Sequence, residues 1–212
     1  MANNYHYLIG GLPELVLDFE SSGFNFDALV EKIIESSTSR EKKCIRWFVF
    51  GVEANNLGIH FYKRVRKFGN NFLNAYFSFD LDLRNILTAY SAHKSSIDPS
   101  PYLVGDNELV SILKANKGLD STISLYSEMA ASAVKILDTN NILEREKAID
   151  LLRWKTAEEI VLYNLFDIDY ILSLILKAAI IRRWSLLDKE QGAALFRRFV
   201  EEVRGTFKLE NN

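Results

Sequence analysis

Apolar positions recur at helical spacing along most of the chain. After Asn25, the segment FDALVEKIIESS pairs Leu29 with Ile33 and Val30 with Ile34, so one face is apolar and Asn25 stands where an N-cap belongs. Ser39 precedes REKKCIRWFVFGVEA, in which Cys44, Trp47 and Phe48 share a face. NNLGIHFYKRVRKFGNN reads as a turn, a basic helical stretch and a second turn at Gly69. A helix is predicted over 80–94, and another from an Asp106 cap through NELVSILKAN to Gly118. A third covers 120–137 and is broken by TNN. The segment 141–165 reads as one long helix whose charged face pairs Lys155 with Glu159 and Asp150 with Arg153. An apolar helix opens at FDID, and Asp188 with Gln191 predicts a capping box for KEQGAALFRRFVEEVRG, closed by Gly205. Only YHYLI, residues 5–9, alternates in the manner of an extended segment, ended by Gly10 and Gly11 before a Pro13 that would open a helix. The fold class is all-α: helical bundle lobes with at most one short N-terminal extended segment.

The stretch SSIDPSPYLVGDNE holds two prolines and a glycine, which makes continuous helix improbable there. It divides the chain into an N-terminal helical lobe (1–94), a linker (95–105) and a C-terminal helical lobe (106–212), with packing of the two as one domain left open. The 26 basic and 28 acidic side chains nearly balance, so no global field points to nucleic acid or an anionic membrane. Cys44 is the sole cysteine, which excludes an internal disulfide and a CxxC metal knuckle and suits a reducing cytoplasm. The N-terminus lacks a basic stretch followed by an apolar one, so no signal peptide is expected. The longest apolar run, Ile168–Ile181, is interrupted by Asp169 and Lys177 and falls short of the roughly 20 residues a spanning helix needs.

Candidate chemistry centres on two copies of Phe-Asp-x-Asp, FDLD at 79–82 and FDID at 166–169. An Asp-x-Asp in a loop beside a phosphate pocket can hold a divalent cation. Here both copies sit where a helical pattern starts, a place where a carboxylate accepts orphan backbone N–H groups and faces the positive end of the helix dipole. Asp80, Asp82, Asn85, Asp167 and Asp169 are therefore read as helix-start residues of a repeated unit, not as metal ligands. His6, His60 and His93 are too scattered to form a ligand pair. LIGGLP lacks the lysine and spacing of a phosphate loop, and no nucleophile or kinase signature occurs. YKRVRKF packs Lys63, Arg64, Arg66 and Lys67 between aromatics, a pattern that can grip phosphates but in a neutral protein reads first as a solvated helix face. No catalytic, cofactor or metal site is expected.

The segments PYLVGDNELVSILKANKGLD (101–120), EREKAIDLLRWKTAEEIVLYNLFDIDYILSLILKAAIIRRWSLLD (144–188) and GAALFRRFVEEVRG (192–205), with the opening NYHYLIGGLPEL, carry a family likeness. The chain resembles an uncharacterised bacterial family encoded among V-type ATPase genes and related to the ATPase C subunit, called d in eukaryotes. That resemblance implies an all-helical, non-catalytic socket that joins the central shaft to the membrane proteolipid ring, cytoplasmic and peripheral, with no cofactor and no insertion into the bilayer. It also implies repeated lobes whose helices open on Asp-x-x-Asn. Asp82 to Asn85 fits, whereas Asp169 to Leu172 has lost the Asn. The C subunit has three lobes and this chain shows two copies, so a smaller socket or a different role in the complex is implied. Arg153, Trp154, Arg182, Arg183 and Trp184 are the candidate partner-interface residues, because aromatics and arginines are enriched at interface anchors. The competing readings are a helical adaptor or assembly factor of the complex, and a metal-dependent enzyme built on the Asp-x-Asp pairs.

Overall fold

A computed structural model describes residues 5–12, 15–17, 25–115 and 121–186. The described residues form ten α-helices and no strand: α1 (His6–Gly10), α2 (Phe26–Glu35), α3 (Ser39–Val52), α4 (Ile59–Val65), α5 (Asn71–Lys94), α6 (Glu108–Ala115), α7 (Ser121–Tyr126), α8 (Glu128–Leu137), α9 (Ile142–Ile160) and α10 (Ile168–Ser185). Short 3₁₀ turns cover Ala54–Asn56, Arg66–Phe68 and Ser100–Tyr102. None of the described helices is long and apolar enough to cross a membrane. The all-α expectation holds.

Caps explain most of the helix starts. Asn25 accepts the Ala28 N–H at 3.0 Å, and Asp167 accepts those of Asp169 and Tyr170 at 3.0 and 3.2 Å. Elsewhere the boundaries move. YHYLI is helical, not extended: its alternation is too short to dictate a strand, and no neighbouring strand exists among the described residues to pair with it. The cap of α3 is Thr38, one residue before Ser39, in a reciprocal box with Glu41. Asn107, and not Asp106, accepts the Val110 N–H at the start of α6. Ser127 caps α8 and splits the helix expected over 120–137 into α7 and α8. The long charged helix stops at Ile160. Pro13, Gly118, Gly205 and the Asp188–Gln191 box lie outside the described residues.

The largest shift concerns α5. Gly69, at φ +64°, turns the chain, and Asn70 caps the helix by accepting the Leu73 N–H at 2.8 Å. The helix therefore begins nine residues before the expected start and runs 24 residues to Lys94, about 36 Å. Asp80, Asp82 and Asn85 consequently stand in its middle and start nothing.

Two hydrophobic clusters make up the interior. The first joins α1 to α4, the front of α5, the back of α9 and α10, and is rich in rings: Phe48, Phe61, Phe72, Tyr76 and Phe77 interlock edge-to-face. Gly51 lets α3 approach this wall, because a Cβ there would fall on the rings of Phe61 and Phe77. The second cluster joins Leu83, Ile86 and Ala89 of α5 to α6, α7, α8 and Ile149 of α9. These cores do not follow the division at 95–105: α10, late in the chain, packs on α2, α3 and α5. Helices α5 and α9 run through both clusters, and the linker is held against α5, where Asn85 exchanges two 2.9 Å hydrogen bonds with the Val104 backbone.

Candidate functional site

Where α5 and α9 pass from one core to the other, their inward positions turn from apolar to charged. Asp80 lies between Leu81 and the ring wall, and Asp150 and Arg153 lie between Ile149 and Trp154. Both carboxylates are nearly inaccessible, at 2% and 1% exposure. A buried carboxylate is tolerated only when cations and donors replace its water, and each has three partners here. Asp80 Oδ2 accepts from Arg84 Nε at 2.7 Å and Tyr62 Oη at 3.0 Å, while its Oδ1 lies 3.6 Å from Arg153 Nε. Asp150 Oδ1 accepts from Arg153 Nη1 at 2.9 Å, and its Oδ2 from Arg183 Nη2 at 2.7 Å and Trp184 Nε1 at 2.8 Å. Glu146 adds a further contact to Arg183 at 3.2 Å.

The result is a chain of alternating sign, Arg84–Asp80–Arg153–Asp150–Arg183–Glu146, that ties α5, α9 and α10 together. It lines a cleft of about 440 Å³ with Arg182 and Glu53 at the rim, 3.7 Å apart. Burial by itself lowers the Arg153 pKa, but Tyr76, Asp80 and Asp150 more than offset it and hold the guanidinium above its ordinary value. Burial, and then the charge of Asp80, push the Tyr62 and Tyr76 phenols well above the usual range, so both keep their protons at neutral pH. Asp80 and Asp150 face cations that a proton-accepting role would have to displace. The arrangement suits a clamp better than an acid–base pair.

The sequence-predicted interface residues divide. Arg153, Trp154 and Trp184 lie inside and are not surface anchors: Trp154 and Trp184 are each 6% exposed, because their indoles are large apolar groups, and the Trp184 N–H finds the buried Asp150 carboxylate. Trp154 donates to Glu158 at 2.9 Å, with Lys177 over its ring. Arg182 and Arg183 remain open at the cleft rim, with side chains 39% and 44% exposed. Arg182 also lies over the Phe26 ring.

The two Phe-Asp-x-Asp copies share a contact that their sequence context does not advertise. The second acid of each accepts from the capping Asn of another helix: Asp169 from Asn70 at 2.5 Å, and Asp82 from Asn107 at 2.6 Å. Each Asn thus caps a helix with its oxygen and holds an acid with its nitrogen. Burial raises the pKa of both acids, and the Asn hydrogen bonds offset only part of that rise. The first acids diverge, Asp167 being a cap and Asp80 the hub of the ion-pair chain. Among the described residues no group of three or more His, Cys, Asp or Glu side chains is placed to hold a metal ion. Sequence reasoning passed over Asp80, Arg84 and Asp150 as a unit. The available signal was the i,i+4 spacing of Asp80 and Arg84 beside the i,i+3 spacing of Asp150 and Arg153.

A family model described as "Protein of unknown function (DUF2764)" matches residues 52–206, and the chain belongs to that family. No curated protein and no solved structure matches the chain.

Proposed function

We propose that this family member is a non-catalytic subunit of a V-type ATPase or ATP synthase, seated like the C (eukaryotic d) subunit between the rotor shaft and the proteolipid ring. It would lie on the cytoplasmic face of the membrane, held there by its partners. The reading rests on the likeness carried by the 144–188 segment, which contains both Asp150 and Asp169. The observation that carries it furthest is the alternating ion-pair chain across α5, α9 and α10. A torque-bearing socket needs its lobes joined stiffly, and buried ion pairs such as those of Asp150, bonded at 2.7–2.9 Å on both oxygens, resist shear better than apolar contacts that can slide. Tyr76 in that cleft and Tyr62, which donates to Asp80, stay protonated and both acids face arginines, as suits a part that moves no protons of its own.

The test is affinity purification of the tagged protein from gently solubilised membranes, followed by mass spectrometry. Recovery of the catalytic subunits, shaft and proteolipid in constant ratio with the bait is the expected result. Recovery in low, variable ratio would replace the subunit with an assembly factor. A protein that stays alone, or a purified protein that hydrolyses ATP by itself, would overturn the proposal.

A further inference from the structure

The basic stretch around residue 65 acquires a second half in three dimensions. Arg64 of α4 and Lys67 of the turn after it face Arg40 and Lys43 of α3 across a groove of about 300 Å³, with Cys44 and Phe68 completing its lining. Each side presents its cations three residues apart, so two pairs converge from two elements. All four side chains belong to exposed residues, and none takes part in an ion pair among the described residues. The contrast with the arginine cleft is chemical: there four arginines meet four acids, whereas the groove's lining holds four cations and no acid. Arg64 is also oriented, its guanidinium carbon lying 5.5 Å from the centroid of the Trp47 ring. Lys63 and Arg66 belong to the same stretch but do not line the groove.

We propose that this groove binds a compact phosphate anion, a phosphomonoester or pyrophosphate group. Two arginines supply planar forks for paired oxygens and two lysines supply mobile point charges, a combination matched to a dianion with three or more free oxygens. The size of the groove admits a headgroup and not a folded partner. Free phosphate compounds and phosphomonoester lipid headgroups share this chemistry. The inference stands apart from the subunit reading, since no contact of the arginine cleft enters it.

The experiment titrates the full chain with inorganic pyrophosphate by calorimetry, and in parallel with phosphatidylcholine vesicles with and without phosphatidic acid. Two double variants remove equal charge: Arg64→Gln/Lys67→Gln inside the groove, and Lys63→Gln/Arg66→Gln beside it. The expected result is binding that falls at least about tenfold in the first variant and stays within about twofold of wild type in the second, since charged hydrogen bonds are lost only in the first. Binding of pyrophosphate itself assigns a soluble ligand, and binding only of phosphatidic acid vesicles assigns a headgroup. Each supports the site when it shows the same variant dependence. Absence of both, equal losses in the two variants, or preference for single-stranded RNA with equal losses would overturn it. Melting curves that match wild type secure the variants as folded.

Discussion

Replacing Asp150 with Ala tests whether the ion-pair chain holds the two cores together. The substitution strands Arg153, whose side chain is 13% exposed and would keep only Asp80, 3.6 Å away. Leaving a buried charge without its partner costs about 3–5 kcal/mol. The Trp184 N–H loses its acceptor inside the core, adding about 1–3 kcal/mol. Arg183 is 44% exposed and retains Glu146, so water screens its loss and its share is below about 1 kcal/mol. These terms share partners and do not add fully, so a total of about 4–6 kcal/mol is expected. That is a large fraction of the about 5–15 kcal/mol by which domains are stable. Asp150→Asn keeps the shape and one acceptor and should lose roughly half as much. Urea unfolding followed by tryptophan fluorescence and far-ultraviolet circular dichroism reads both, with the slope m checked for two-state behaviour. An Asp150→Ala protein within about 1 kcal/mol of wild type at unchanged m would refute the clamp, because a surface pair costs no more than that.

Gly51→Ala should lower stability by about 1–3 kcal/mol, read as a reduced urea midpoint, since the methyl must displace the Phe61 and Phe77 rings from a packed wall; an unchanged midpoint would show that the wall yields freely. Asn85→Ala should leave both polar groups of Val104 without their partner, cost about 2–3 kcal/mol and speed proteolysis between residues 95 and 105; intact resistance would mean that the linker is held by other contacts. Asp82 and Asp169 have raised folded-state pKa values, so the folded chain binds more protons than the unfolded one just above the ordinary carboxyl range. Their contribution is therefore most favourable at low pH and is lost as pH rises through the raised values. Asp169→Asn should accordingly gain on wild type as pH climbs from about 4 to 7, and a stability difference that ignores pH would refute the assignment.

The sequence made a cap legible where polar residue and apolar face adjoin, and hid it where, as at Thr38 and Ser127, a neighbouring polar residue or a continuing helical pattern masks it. Asn25 is followed at once by its apolar face, and the match between pattern and structure is direct. FDID and FDLD show the opposite case. A carboxylate that caps a helix and one that lies buried against arginines have the same local spelling, and what separates them is Arg153, 73 residues beyond Asp80 in the chain. The early start of α5 was hidden for a related reason. FLNAYFSF is dense in aromatics, whose helix propensity is weak, and the ring wall overrides it. Arg153, Trp154 and Trp184 looked like anchors because interface and core draw on the same residue types, and only burial tells them apart.

The first core is closed by helices far apart in the chain, and this sets an order of events during synthesis. The ring wall of α3 to α5 is complete by Leu81, but the Ile171–Trp184 face that covers it emerges about a hundred residues later. At translation rates of 5–20 residues per second that interval is roughly 5–20 s. For that time the nascent chain presents its aromatic surface to water, while the 83–152 segment can already collapse on itself. The ribosome-bound half-chain is thus the species most exposed to chaperones and to aggregation, and the apolar run of α10 covers the ring wall as it leaves the tunnel.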